Sequence, residues 1–270
     1  MESNNIKEFV LYLYEKELSE NTIKSYAHHL RDYFSKYNEV TKTALIEWKK
    51  GLAERLCPKS INHYICAMNE YLKFIGKNDF ALRKIKIQAQ YSVENVISFD
   101  DFNKLLECLK ADGNMRWYYV VLFLGKTGVR VNELIKLKYG DLKRSFADIS
   151  TKGKIRRIYF CDSLRTDEIF DFFSDRKNED FLFPNRYGNE ITSRGIASQL
   201  QKFATKYGIN PKVMHPHSFR HFFAIEFLKR DKDISLLADL MGHSSINTTA
   251  IYLRLSQSEQ KDRLNKAMNF

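Results

Sequence analysis

Through the first 80 residues apolar side chains return every third or fourth position, the spacing of one helix face. A helix is expected over 4–17, built on Phe9, Leu11, Tyr12 and Leu13. Ser19 or Asn21 can cap a second, in which Ile23, Tyr26, Leu30, Tyr33 and Phe34 share a face. Residues 41–55 predict a third around Leu45, Ile46, Trp48 and Leu52. Pro58 suits the first turn of a fourth, where its missing N–H costs nothing, with Ile61, Ile65, Met68, Leu72 and Ile75 as the stripe. No alternating pattern interrupts these, so residues 1–80 read as an all-helical domain. The periodicity then fails over 78–96, and 81–96 is read as a linker.

Periodicity resumes near Val96. Ser98 and Asp101 form a capping pair before FNKLLECL. WYYVVLFLGKTG is apolar all round, which predicts a buried helix. FADISTKGKIRRIYF, 146–160, reads as two short strands joined by a tight turn at Gly153. Helices are expected at about 163–175 and over 193–207, with Pro211 and Pro216 bracketing the entry to another. Residues 97–270 thus form a second domain, mostly helical with a small antiparallel sheet, and the fold class is mainly α.

Composition narrows the partners. The chain has 270 residues, with 44 Lys and Arg against 33 Asp and Glu, a net charge of +11. That surplus favours a polyanion, because neutralised phosphates release counterions. Both segments are basic: residues 1–96 carry 15 basic and 12 acidic side chains, residues 97–270 carry 29 and 21. Arg83, Lys84 and Lys86 make a basic run in the linker, suited either to crossing a DNA backbone or to a solvated loop. Cys57, Cys66, Cys108 and Cys161 lack zinc or redox spacing. The opening MESNNIKEF has no leader pattern, and no apolar run approaches the ~20 residues that span a bilayer. A cytoplasmic protein without membrane attachment is expected. GKT at 125–127 is no phosphate loop, since Val120 stands where that loop needs glycine.

The densest chemistry lies in HPHSFRHFFAIEFLKRDKDISLLADLMGHSSINTTAIY, residues 215–252. His217 and Arg220 are three apart and share a helix face. His243 and Tyr252 follow an apolar run. Two imidazoles, a guanidinium and a phenol suit an oxyanion gripped while a hydroxyl attacks it, and suit a metal or a carboxylate pair poorly. Upstream, KTGVRVNELIKL holds Arg130 and Glu133.

HPHSFRH, LMGHSSINTTAIY and KTGVRVNELIKL, in this order and spacing, resemble the signature of the tyrosine recombinases, the phage-integrase and Xer-like family. LSENTIKSY resembles the opening of that family's core-DNA-binding domain. The resemblance implies that 1–80 grips core DNA and 97–270 is catalytic. It implies that Tyr252 attacks a DNA phosphate to give a 3′-phosphotyrosine link, with Arg130 and Arg220 on the phosphate oxygens and Glu133 supporting them. His217 is then the candidate base and His243 a donor to the phosphate. Lys152 is the general acid for the leaving 5′ oxygen, with Lys154 the alternative; Arg156 and Arg157 would touch the DNA backbone. His215 and His221 are expected to be structural or DNA-contacting. No cofactor, metal or ATP is implied. The expected assembly is a homo-tetramer on double-stranded DNA with paired core sites. The segment after Tyr252 would be exchanged between protomers, and a second recombinase or accessory protein is open. The competing readings are a type IB topoisomerase-like enzyme and a catalytically silent DNA-binding regulator on the same fold.

Overall fold

The computed structural model describes residues 2–87, 94–151, 154–243, 245–253, 264–265 and 267–268, with the side chains of 2–4, 151 and 154 excepted. Chain contacts divide it into two compact units, 1–89 and 90–270.

The first unit is four helices: α1 (Glu2–Glu15), α2 (Glu20–Phe34), α3 (Lys42–Ala53) and α4 (Pro58–Phe74). Side-chain oxygens start two of them. Ser19 Oγ accepts from Thr22 N at 3.4 Å and Thr41 Oγ1 from Ala44 N at 3.2 Å, which satisfies donors the helix cannot. Pro58 occupies the first turn of α4. The predicted stripes meet in one core, in which Phe9, Leu30, Leu45, Ile65 and Met68 are fully buried, except that Leu11 and Ile46, expected on the apolar faces of α1 and α3, are exposed. The segment 81–87, expected to be linker, is held on α4 by two amide forks. Asn69 exchanges hydrogen bonds of 2.8 and 2.9 Å with the backbone of Leu82, and Asn62 does the same with Ile85. The side chains of Arg83, Lys84 and Lys86 are exposed. The remainder of that expected linker includes 88–93, outside the described residues.

The second unit begins with α5 (Phe99–Ala111), capped by Ser98 Oγ accepting from Asp101 N at 3.0 Å. Helix α6 (Met115–Thr127), buried continuously from Tyr119 to Gly125, runs through the core. Two short helices follow, α7 (Val131–Leu134) and α8 (Tyr139–Arg144). Strands β1 (Phe146–Thr151) and β2 (Lys154–Tyr159) pair antiparallel, with Ile149 opposite Arg156 and Ala147 opposite Ile158. The helix expected at 163–175 is shorter and broken. A 3-10 turn at Asp162–Leu164 precedes α9 (Asp167–Phe172). Between them Arg165 turns aside to donate to the carbonyls of Leu142 and Lys143, each at 3.3 Å. Then come α10 (Ser193–Tyr207), α11 (Pro216–Arg230), α12 (Ile234–Met241) and α13 (Ile246–Thr249). The mainly α fold with one small antiparallel sheet is as expected.

Candidate active site

Four helix ends and one strand build the site. Helix α6 stops at Gly128, whose φ of +59° is the left-handed turn that glycine adopts without strain. The ring of Phe223 fills the space a Cβ would take there. That turn puts Arg130 at the N-cap of α7. Glu133 Oε2 accepts the Arg130 backbone N–H at 2.7 Å, and Oε1 accepts Nη1 of its side chain at 2.9 Å. Glu133 is buried, whereas 43% of the Arg130 side chain is exposed.

Helix α11 opens at His215, whose Nδ1 accepts from Ser218 N at 3.1 Å. Ser218 Oγ in turn accepts from Ile97 N at 2.8 Å, tying α11 to the start of the unit. One turn on, Arg220 is 2% exposed. Its Nη1 donates to Gly128 O at 2.5 Å, and its Nη2 donates to Met241 O at 2.6 Å and His243 Nε2 at 3.0 Å. Burial, then the Arg130 and Arg156 cations, lower its pKa to about 9.

Helix α12 ends in a glycine turn. Gly242 N donates to Asp239 O at 2.9 Å and His243 N to Ala238 O at 3.0 Å, the paired bonds of a Schellman cap. The next three carbonyls each take a guanidinium: Leu240 O from Arg156, Met241 O from Arg220, and Gly242 O from Arg130 at 3.2 Å. Carbonyls at a helix C-terminus carry the negative end of the helix dipole. Together with Glu133 they hold three cations that would otherwise repel.

His243 and Tyr252 complete the set. Because Arg220 can only donate, His243 Nε2 is an acceptor and Nδ1 carries the proton, which it donates to Thr249 Oγ1 at 2.7 Å. Burial, followed by Arg220 and Arg130, pushes the His243 imidazole down to about 4. The Tyr252 hydroxyl shares a 2.6 Å hydrogen bond with His221 Nδ1. Burial raises the phenol to about 12, with Arg220 opposing. His221 is itself pushed down to about 4 by burial and then by His217. The His217 and His221 rings are in edge contact, centroids 4.4 Å apart.

The structure therefore brings Arg130, Glu133, Arg220, His243 and Tyr252 into one neighbourhood, with His217 next to the histidine that holds the phenol. Arg156, expected on DNA backbone, is instead placed inside: its side chain is 10% exposed and its Nη1 pairs with Glu133. It alternates inward on β2 with Ile158, while Arg157 faces out and forks onto Asp148 at 2.8 Å. Lys152 and the turn glycine Gly153 lie outside the described residues, and Lys154 is described by its backbone alone. The tail expected to form a helix falls largely on 254–263, 266 and 269–270, also outside them. His221, expected to be structural or DNA-contacting, instead holds the Tyr252 hydroxyl; its place four residues after His217 puts both on one helix face. Sequence reasoning passed over Thr249, buried with its hydroxyl on His243. Among the described residues no cluster of three or more His, Cys, Asp or Glu could hold a metal. No described helix is long and apolar enough to cross a membrane.

Residues 95–259 match the model of the phage integrase family, and residues 6–79 that of the phage integrase N-terminal SAM-like domain. Tyrosine recombinase XerA of Pyrococcus furiosus is 29% identical over 276 residues, covering 99% of this chain and 95% of that protein. Tyrosine recombinase XerD of Listeria innocua is also 29% identical, covering 95% of this chain and 96% of that protein. Among solved structures, the crystal structure of XerA recombinase is 25% identical, covers 99% of each chain and has a TM-score of 0.55. The Tn1549 transposon integrase in complex with transposon right end DNA is 17% identical. It covers 97% of this chain and 99% of that one with a TM-score of 0.72, a likeness of fold.

Proposed function

The chain belongs to the phage integrase family, and from that premise we propose how its residues act. It is a tyrosine recombinase of the Xer-like type, an enzyme that cuts and rejoins DNA at specific sites. The observation that carries the residue assignment is the run of carbonyls at 240–242, which anchors Arg130 and Arg220 beside His243, while the Tyr252 hydroxyl is held by His221, the residue after Arg220 on α11. Two guanidiniums fixed in advance suit the charge that builds on the non-bridging oxygens of a phosphate under attack. Arg220 has five N–H donors, and its bonds to Gly128, Met241 and His243 engage three. A phosphate would meet the others and the exposed face of Arg130.

Tyr252 is the proposed nucleophile. Its oxygen bonds to phosphorus, the bond from phosphorus to the 5′ oxygen breaks, and a 3′-phosphotyrosine and a 5′ hydroxyl result. The phenolic proton passes to the His217–His221 pair. Lys152, or Lys154 as the alternative, protonates the departing 5′ oxygen. Attack by a 5′ hydroxyl of a partner strand reverses each step on new DNA, so the bond energy is kept in the covalent link. His243, the candidate donor to the phosphate, would serve in the tautomer that carries its proton on Nε2, with Nδ1 then accepting from the Thr249 hydroxyl. The substrate is double-stranded DNA with paired core sites, bound in the cell's cytoplasm. The working form is a homo-tetramer whose post-tyrosine tails are exchanged between protomers, with or without an accessory protein. Named relatives that are recombinases favour this over a topoisomerase that acts alone or a silent DNA-binding regulator.

Covalent trapping on nicked DNA carrying candidate sites, in EDTA, tests the reading. Wild-type protein should form an adduct. Tyr252→Phe should bind the same DNA and form none. An adduct in the Phe variant would remove Tyr252 from the mechanism.

A further inference from the structure

The third guanidinium of the site has no role in these cleavage and rejoining steps. Arg156 lies almost out of solvent, and so does its partner Glu133. A buried ion pair contributes little to stability compared with apolar side chains of the same volume. The Nε of Arg156 is also buried without a partner among the described residues. Its geometry, in contrast, is specific. Nη1 donates to Glu133 Oε2 and Nη2 to Leu240 O, so one planar group joins β2, α7 and the end of α12. Gly242, with φ +62°, lets the chain pass flat against it, since a Cβ there would collide with Arg156 Cδ.

What this arrangement does to Arg130 follows from the chemistry of the pair. A carboxylate facing one arginine alone is free to take it in a two-bond fork. Here Oε2 is already filled by the Arg130 backbone N–H and by Arg156, so the Arg130 side chain keeps one bond, from Nη1 to Oε1. Its Nη2 goes instead to Gly242 O, and the group stays 43% exposed. We propose that Arg156 is a positioning residue: by occupying Glu133 and pinning Leu240 it stops Glu133 from folding Arg130 back, and keeps the Arg130 guanidinium turned out towards the DNA phosphate. Arg156 itself does not touch DNA. The proposal rests on the recombinase reading of the site and deepens it.

The test is a double-mutant cycle on single-turnover adduct formation with nicked DNA. The proteins are wild type, Arg156→Met, Arg156→Lys, Arg130→Ala, and Arg130→Ala combined with each Arg156 variant. DNA affinity and melting temperature are measured alongside. Arg156→Met should slow adduct formation by about 10- to 100-fold, the scale on which removing a partner that orients a metal ligand lowers activity. DNA affinity should change less than about twofold, and Arg156→Lys, which can hold one acceptor but not both, should fall between. With Arg130 already Ala, losing Arg156 should cost less than about twofold, because groups acting through one another are not additive. An equal loss in both backgrounds, or a loss that appears in DNA affinity, overturns the proposal. Should the Met variant not fold, the Lys variant completes the same cycle, and the same two outcomes overturn the proposal there. Failure of the wild type to form any adduct would instead count against the recombinase reading.

Discussion

Arg220 does two jobs, and different substitutions separate them. It bridges Gly128 O and Met241 O inside the unit, and in the proposed mechanism it offers its remaining donors to substrate. Arg220→Ala leaves two buried carbonyls without their donor, a cost of about 1–3 kcal/mol in stability for such groups, together with loss of cleavage. Arg220→Lys keeps a cation but not the planar fork. It should melt between wild type and the Ala variant, since an ammonium holds one of the two carbonyls but not both, and cut about 100- to 1,000-fold more slowly, the scale of one lost oxyanion donor. Thermal melting and adduct rates on the two variants check both halves. The histidines bring a pH signature at the same scale. His221 and His243 are pushed from 6.5 to about 4, so the fold prefers them neutral. Their contribution is fully present above pH 6.5, where both states are neutral. It is lost as pH falls from there towards 4, because the unfolded chain binds the protons first. Each ring should account for on the order of 1–2 kcal/mol after allowing for the part water reaches. Urea titrations at pH 7 and pH 4.5 should show a smaller difference for His221→Gln than for wild type.

The C-terminus of α12 is the element on which the site depends. Eight residues of helix end in a Schellman turn, and the carbonyls left over organise three arginines from α7, α11 and β2. Gly242 makes this possible twice, through its positive φ and through its lack of a Cβ against Arg156. Gly242→Ala should therefore destabilise by more than the roughly 1 kcal/mol expected for a strained φ alone, and should slow adduct formation as well. Chemical denaturation and the trapping assay measure the two effects. Elements of this length explain where sequence reading stopped. Ser19, Pro58, Ser98 and Pro216 marked helix starts because caps are local chemistry. The four-residue α7 and α13 offered no period to recognise, and the interrupted stretch at 162–172 looked continuous because Leu164, Ile169 and Phe173 all face the core.

Across the whole chain the net charge of +11 supplies the long-range attraction to DNA. A protein that meets six to ten phosphates loses about a thousandfold or more in affinity between 50 and 200 mM salt. Site-bearing and unrelated duplexes should show similar slopes of log affinity against log salt, with the site-bearing one offset to tighter binding. A flat salt dependence would mean that the basic surplus does not face DNA.

The sequence by itself determined the helical stripes, the caps, the hairpin and the order in which Arg130, His217, Arg220, His243 and Tyr252 occur, because periodicity and motif spacing are properties of neighbours along the chain. Tertiary structure alone decided that Arg156 turns inward to Glu133, that His221 meets the Tyr252 hydroxyl, and that three consecutive carbonyls each hold an arginine. Those contacts join residues 21 to 112 positions apart, with His221 and Tyr252 separated by 31. No local pattern encodes which of several arginines will fill one carboxylate, since the choice is made by packing and desolvation once the helix ends have met.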